Sequence, residues 1–179
     1  MGQLDNVKVA VVATNDFEDS ELTSPVEAVK SEGAEVKVVS TESGTITGKK
    51  GAEVTVDLTT ADAKAEDFDA LILPGGTNNA DIIRTDENAV ALVRGIAEAG
   101  KPIGAICHGP WILADADALR GRTVTSFKSL KTDLTNAGAT WVDSECECDQ
   151  GLVTSRTPDD LPAFNAKIVE EFAEGIHQE

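Results

Sequence analysis

The 179-residue sequence predicts an α/β fold, an open and mostly parallel sheet with helices on both faces. Two observations carry that prediction. Strand-like apolar runs alternate with segments of helical spacing from end to end, and no internal repeat or low-complexity stretch interrupts them. The chain also has room for one domain with a full core, since 41% of its residues are hydrophobic. Residues 1–179 are therefore expected to fold as a single domain.

Each element has a local reason. VKVAVVA (Val7 to Ala13) is an apolar run of strand length. Asp19 to Glu32 carries Leu22, Val26 and Val29 at helical spacing, and Gly33 stops it. Glu35 to Ser40 is the next strand, and Gly44 to Asp57 reads as turn-punctuated β structure hanging off the sheet. DALIL (Asp69 to Leu73) is a strand ending in Pro74-Gly75-Gly76. Asn88 to Ala99 is a helix closed by Gly100, Lys101 to Ile106 a strand, and Pro110 to Leu119 a helix with Ile112, Leu113 and Ala116 facing inward. Thr123 to Phe127, a helix around Leu130 to Asn136, a β hairpin from Thr140 to Ser155 and a closing helix from Pro158 to about Gly175 complete the chain.

Charge and composition exclude several function classes. With 32 Asp plus Glu against 15 Lys plus Arg, the net charge of −17 repels phosphate backbones and anionic lipid, so neither nucleic acid nor membrane is an expected partner. The acid is spread along the chain, as on a solvated surface, and a salt-rich cytoplasm would account for its excess. The absence of Tyr and the 4% aromatic content argue against stacking platforms for bases or sugars. No run approaches the ~20 apolar residues of a membrane span, and the start has an acidic residue where a signal peptide would be basic, so a soluble cytoplasmic protein is expected. Three cysteines, two of them separated by one residue, suggest no disulfide framework and fit a reducing compartment.

In a sheet of this kind functional residues gather beyond the carboxyl ends of the strands. Three loops lie there: NDFED, PGGTNNAD and CHGP. Around Cys107, Ala105 and Gly109 supply the small residues that a nucleophile elbow needs two positions before and two after the nucleophile. A buried core cysteine is the commoner fate of a lone thiol, but it does not require Ala, Gly and Pro around it. The following helix would favour the thiolate at its N-terminus. Of the two histidines, His177 reads as a surface residue near the end of the sequence, which leaves His108 as the base. Neighbouring side chains on a regular helix do not face each other, so a Cys107–His108 contact depends on the irregular backbone of the elbow. Glu18 would be delivered beside the elbow, or would act only on the dipole of the first helix, a reading that Asp16 and Asp19 fit better. Gly75 and Gly76 can let backbone N–H groups approach an oxyanion, or can simply turn the chain.

Other sites are disfavoured. NDFED lacks the glycines of a dinucleotide loop. Cys146 and Cys148 alternate on one strand and so share a face, but one further Cys and two His are too few for an obvious tetrahedral centre, and no metal or cofactor is expected.

The segments FEDSEL, TITGKKG, LILPGG, AICHGP, LRGR, TSF, NAGATWVD and TSRTPDDLPAF follow one another from about Val7 to Phe172. Together they resemble the PfpI family of intracellular proteases, in the superfamily of the Parkinson-disease-associated deglycase and the class I glutamine amidotransferases. The resemblance implies a flavodoxin-like three-layer α/β/α sandwich with a cysteine nucleophile elbow. It also implies that Cys107 is the nucleophile, His108 its adjacent base, and Glu18 the carboxyl group that hydrogen-bonds the cysteine sulfur. The backbone N–H groups of Gly76 and His108 would form the oxyanion hole, with Gly75 and Gly109 among the binding glycines. A further acid, matched here by Asp81, would come from a neighbouring subunit, which makes self-association part of the mechanism and at least a dimer expected. Relatives often have proline where this chain has Ala80, and some have Glu where it has Asp81.

Three activities are implied. The first is glutathione-independent conversion of α-oxoaldehydes such as methylglyoxal, or of their early adducts with proteins, to hydroxy acids. The second is peptide-bond cleavage. The third is redox sensing through a Cys107 sulfinate. Amidotransferase chemistry ranks lower, because no histidine lies between His108 and His177 to form its His-x-Glu pair.

Overall fold

The computed structural model describes residues 2–177. The chain runs β1 (Lys8–Val12), α1 (Asp19–Ser31), β2 (Glu35–Ser40), β3 (Gly44–Thr47), β4 (Glu53–Val56), β5 (Leu58–Thr59), β6 (Ala70–Leu73), α2 (Thr77–Ile83) and α3 (Glu87–Glu98). It continues through β7 (Ile103–Ile106), α4 (Trp111–Asp115), β8 (Thr123–Val124), α5 (Lys131–Asn136), β9 (Thr140–Trp141), β10 (Glu147–Asp149), β11 (Leu152–Ser155) and α6 (Leu161–Glu174). Seven strands form the central sheet in the order β10-β11-β7-β6-β1-β2-β5. All neighbours in it are parallel except β10 and β11.

The period of two along a strand divides the core. On β1, Val9 and Val11 belong to one buried cluster and Ala10 and Val12 to the other, on the opposite face. The first cluster lies under α1 and α6, with Leu22, Val29, Phe164, Ile168 and Phe172. The second lies under α3, α4 and α5, with Leu92, Val93, Ile96, Leu113 and Leu134. The sheet is thus covered on both faces and forms the middle layer of a three-layer α/β/α sandwich. β1, β6 and β7 read as apolar runs because they are buried between both clusters.

Helix ends follow local chemistry. Asp86 caps α3 by accepting a hydrogen bond from Ala89 N–H, and Gly100, at φ +72°, closes the turn after it. Among the described residues no helix is long and apolar enough to cross a membrane.

Three local expectations are corrected. The segment Thr140 to Ser155 is not one hairpin: β9 pairs in parallel with β8, and only β10 and β11 form the antiparallel pair. The PGGTNNAD stretch is not all loop, since α2 begins at Thr77. The helix expected from Pro110 to Leu119 is reduced to the five residues of α4.

Candidate active site

β1, β6 and β7 are neighbours at the centre of the sheet, so the loops leaving their carboxyl ends converge. Glu18 N–H donates to Gly75 O at 3.2 Å, which joins the first loop to the second. A Cβ on Gly75 would stand 2.8 Å from Cys107 Cβ, which shows how closely the second meets the third.

Cys107 adopts φ +62°, the strained conformation of a strand-to-helix elbow. That backbone brings its Sγ to 3.3 Å from Nδ1 of the next residue, His108. On the far side of the ring, Nε2 lies 3.4 Å from Thr77 Oγ1 and 3.3 Å from Ser129 Oγ. Either hydroxyl can accept a hydrogen bond from Nε2–H, and that tautomer leaves the Nδ1 lone pair facing the thiol. The imidazole is stacked on Phe127 at 4.8 Å between centroids. Burial, then the positive charge of Lys49, lower the pKa of His108, so the ring is neutral and able to take a proton at pH 7.

The small residues around the elbow have distinct tasks. Gly109 donates its N–H to Ile106 O at 2.8 Å, and a Cβ there would stand 2.2 Å from Leu73 O. Gly109 therefore permits close packing and has no free donor for an oxyanion. The backbone N–H groups of His108 and Gly76 act on the sulfur and favour the thiolate. With α4 only five residues long, these two donors matter more than a helix dipole.

The carboxyl group at the sulfur is Glu21, which corrects the expectation for Glu18. Glu18 precedes α1 and is tied by ion pairs to Lys49 at 2.5 Å and Lys50 at 2.9 Å. Burial raises its pKa, but the hydrogen bonds from the two lysines outweigh this, and the net direction is down. Glu21, in the first turn of α1, has no exposed surface, and the groups acting on its carboxyl are Gly75 N–H and the Cys107 thiol. Neither of its oxygens has a hydrogen bond of full geometry. A Cβ on Gly75 would lie 2.2 Å from Glu21 Oε1, so glycine at this position makes the space for the carboxyl.

Burial, then the charge of Glu18, push Glu21 up to about 8. Burial, then the charge of Glu21, push the Cys107 thiol up to about 12. The two groups share a low-dielectric space and do not ionise together readily. At neutral pH Glu21 holds its proton, so its charge is absent and it can donate to a developing thiolate. Sequence reasoning missed Glu21, and it missed Lys49, whose charge acts on Glu21, Cys107 and His108 from the β3–β4 hairpin.

This has a thermodynamic consequence. A carboxyl raised from its ordinary value near 4.5 to about 8 binds more protons folded than unfolded across that window. Its contribution to stability is fully present below about 4.5 and lost as pH rises through about 8. Glu21→Gln should therefore flatten the fall in thermal midpoint between pH 5 and pH 9, about the span of the two values. Parallel melting curves of wild type and variant over that span would contradict the assignment.

Asp81 is exposed on α2, next to Ile82, which is 45% exposed. A cavity of about 490 Å³ opens at the opposite end of the sheet, between Arg94, Lys101, Arg120 and Arg122 and near the first residues of β7 and β11. It is remote from Cys107.

A cysteine on a strained elbow, an adjoining neutral histidine and a protonated carboxyl lie together beyond the central strands of a flavodoxin-like sandwich, the arrangement of an α/β enzyme site. The chain belongs to the DJ-1/PfpI family, whose model matches residues 7–171. It is 47% identical over 163 residues to "Deglycase PH1704" of Pyrococcus horikoshii, covering 91% of this chain and 98% of that one. It is 50% identical over 161 residues to "General stress protein 18" of Bacillus subtilis, covering 88% and 93%. The structure superimposes with a TM-score of 0.89 and 37% identity on a two-domain protein of Anabaena variabilis with DJ-1/ThiJ/PfpI-like and ferritin-like domains, covering 92% of this chain and 47% of that one. The chain thus spans about half of that protein.

Proposed function

We propose that the protein converts α-oxoaldehydes, free or as early adducts on proteins, to hydroxy acids through Cys107. The observation that carries this reading is the buried Cys107 thiol at 3.3 Å from the neutral His108, with protonated Glu21 against it. Cys107 and His108 are only 9% and 8% exposed, and such an opening suits a small carbonyl compound better than an extended peptide. The relative named a deglycase supports the same reading.

With methylglyoxal the steps balance without an external oxidant. Sulfur bonds to the aldehyde carbon as the thiol proton passes to His108, and the Gly76 and His108 N–H groups meet the oxyanion. The oxyanion takes a proton from Glu21. The Glu21 carboxylate so formed takes the hydrogen of the aldehyde carbon as a proton and returns it to the neighbouring ketone carbon. The hydroxyl proton of the first carbon passes meanwhile to the oxygen of the second, so the first carbon is oxidised and the second reduced. A solvent proton then restores Glu21, and His108 gives up the thiol proton when the sulfur leaves. Water cleaves the resulting thioester, giving lactic acid and the free thiol. His108, with its second nitrogen against two hydroxyls, is placed to shuttle these protons.

Self-association belongs to this proposal. Asp81 and Ile82, exposed on α2, would be covered by a second chain that places its acid near the first chain's site. An Asp81→Ala variant that keeps full turnover as an oligomer would remove that acid from the reaction.

The test is to incubate wild type and Cys107→Ala with methylglyoxal, and separately with a fluorogenic peptide, in high salt without glutathione. Cysteine-dependent lactate formation supports the proposal. Equal methylglyoxal turnover by the two proteins defeats it, and cysteine-dependent cleavage of the peptide alone makes the protein a peptidase.

A further inference from the structure

The two C-terminal features that sequence reasoning set aside, the Cys146/Cys148 strand and His177, meet in the folded chain. Cys148 lies on β10, and its thiol donates to Glu171 Oε1 at 2.9 Å. Glu171 and Glu174 are one helical turn apart on α6 and so share a face. Gly175, at φ +82°, ends that helix and turns the chain. His177 is then fixed by its N–H, which donates to Gly100 O at 2.7 Å, and by its ring, which covers Gly151. Its Nε2 points at both carboxylates, 3.8 Å from Glu171 Oε1 and 3.5 Å from Glu174 Oε2.

Hydrogen bonding leaves this cluster incomplete. His177 Nε2 is buried without a hydrogen-bond partner, and the Glu171 side chain is only 7% exposed. The nearby ammonium, Lys167, already bonds Glu170 at 3.2 Å. The ligand atoms of Glu171, Glu174 and His177 all lie within 4.8 Å of one another.

We propose that Cys148, Glu171, Glu174 and His177 bind a borderline-soft divalent cation of the zinc type, at a structural site separate from Cys107. One sulfur, one imidazole nitrogen and two carboxylate oxygens match tetrahedral zinc, whereas magnesium and calcium take oxygen donors. Zinc bonds of about 2.0–2.3 Å put neighbouring ligand atoms about 3.3–3.6 Å apart. His177 Nε2 stands 3.5 and 3.8 Å from its two carboxylates and Cys148 Sγ 2.9 Å from Glu171 Oε1, and the thiol has to move toward the other two ligands to complete the set. Binding would displace the Cys148 proton to solvent and leave the metal bridging thiolate, imidazole and carboxylates. It would clamp the end of α6 and the turn beyond it to β10.

The experiment uses the full chain, stripped with a chelator and titrated in high salt with zinc by calorimetry and with cobalt by absorption spectroscopy. It is run on wild type and on Cys107→Ala, so that the nucleophile is not mistaken for a ligand. The expected result is one zinc per chain in both proteins, a raised thermal midpoint and a thiolate-to-cobalt charge-transfer band. Cys148→Ser and His177→Ala should each weaken zinc binding at least about tenfold, Cys148→Ser should abolish the band, and Cys146→Ser should retain both. Absence of zinc binding to wild type would overturn the proposal and leave the cluster as a contact between His177 and the two glutamates. Binding unchanged by Cys148→Ser and His177→Ala, or lost with Cys107→Ala, would overturn it as well.

Discussion

Alanine at position 107 is expected to abolish lactate formation from methylglyoxal, and leucine at position 21 to slow it by about 10²–10⁴, the range for loss of a positioned proton donor. Glutamine at position 18 should cost less than about tenfold, since that carboxylate faces two lysines. The contrast follows from environment. Glu21 has no exposed surface and sits against the sulfur with its pKa pushed up to about 8, so at neutral pH it is a proton donor. Glu18 has its pKa lowered: burial opposes ionisation, but hydrogen bonds from Lys49 and Lys50 prevail, so it has no proton to give. Leucine at 21 removes the donor with little change in size. The same variant should slow alkylation of Cys107 by iodoacetamide at pH 7, where protonated Glu21 would otherwise support the thiolate. Measuring kcat/KM and the alkylation rate for all three variants decides the matter. A larger loss in Glu18→Gln than in Glu21→Leu would return the sulfur-bonding role to Glu18.

The error between these two glutamates has a structural cause. The expectation for Glu18 rests on its position after the first strand and on the family resemblance, not on the face of the helix that follows it. The buried residues of α1 are Glu21, Leu22, Pro25 and Val29, and Val26 is half-buried against the same cluster. The inward face of α1 thus includes Glu21 and carries it to the sulfur. A proline read as part of the buried face would have pointed to Glu21, its neighbour one turn earlier. The lysines that draw Glu18 away come from a hairpin some 30 residues downstream, and local periodicity says nothing about them.

The elbow was legible for the opposite reason. Its requirement for small residues is local, and a Cβ on Gly109 would meet Leu73 O at 2.2 Å. The central strands were legible because burial on both faces leaves them uniformly apolar. The partners of His108 were not, since Thr77 arrives at the start of α2 and Ser129 from the helical turn before α5, on either side of the elbow in sequence. β9 was misassigned to a hairpin because two-residue strands carry no period, and its pairing with β8 is set by the packing of the layer that includes α5.

Gly76→Ala is expected to lower stability by about 2–6 kcal/mol and to cut turnover by a further 10²–10³ beyond any loss from unfolding, roughly the effect of losing one oxyanion donor. Gly76 holds φ +94° and ψ 114°, a conformation that side chains avoid, and strain there costs about 1–3 kcal/mol. The added Cβ would also stand 2.5 Å from Asp16 O and 2.6 Å from Glu18 N. Both are backbone atoms, which cannot swing aside as a side-chain tip can, and such overpacking costs about 1–3 kcal/mol more. Gly44 separates the two causes. It has φ +112° but nothing within 4 Å of its added Cβ, so Gly44→Ala should show the strain alone and keep full turnover. For a chain of this size the Gly76→Ala midpoint should fall by at least about 4 °C. Turnover is to be compared at a temperature where both proteins are folded, so that a remaining deficit reports the displaced N–H. A Gly76→Ala protein with an unchanged midpoint would mean that the first two loops are not in the close contact described. A destabilised protein with full turnover would mean that the Gly76 N–H does not meet the oxyanion, and His108 N–H would then act alone.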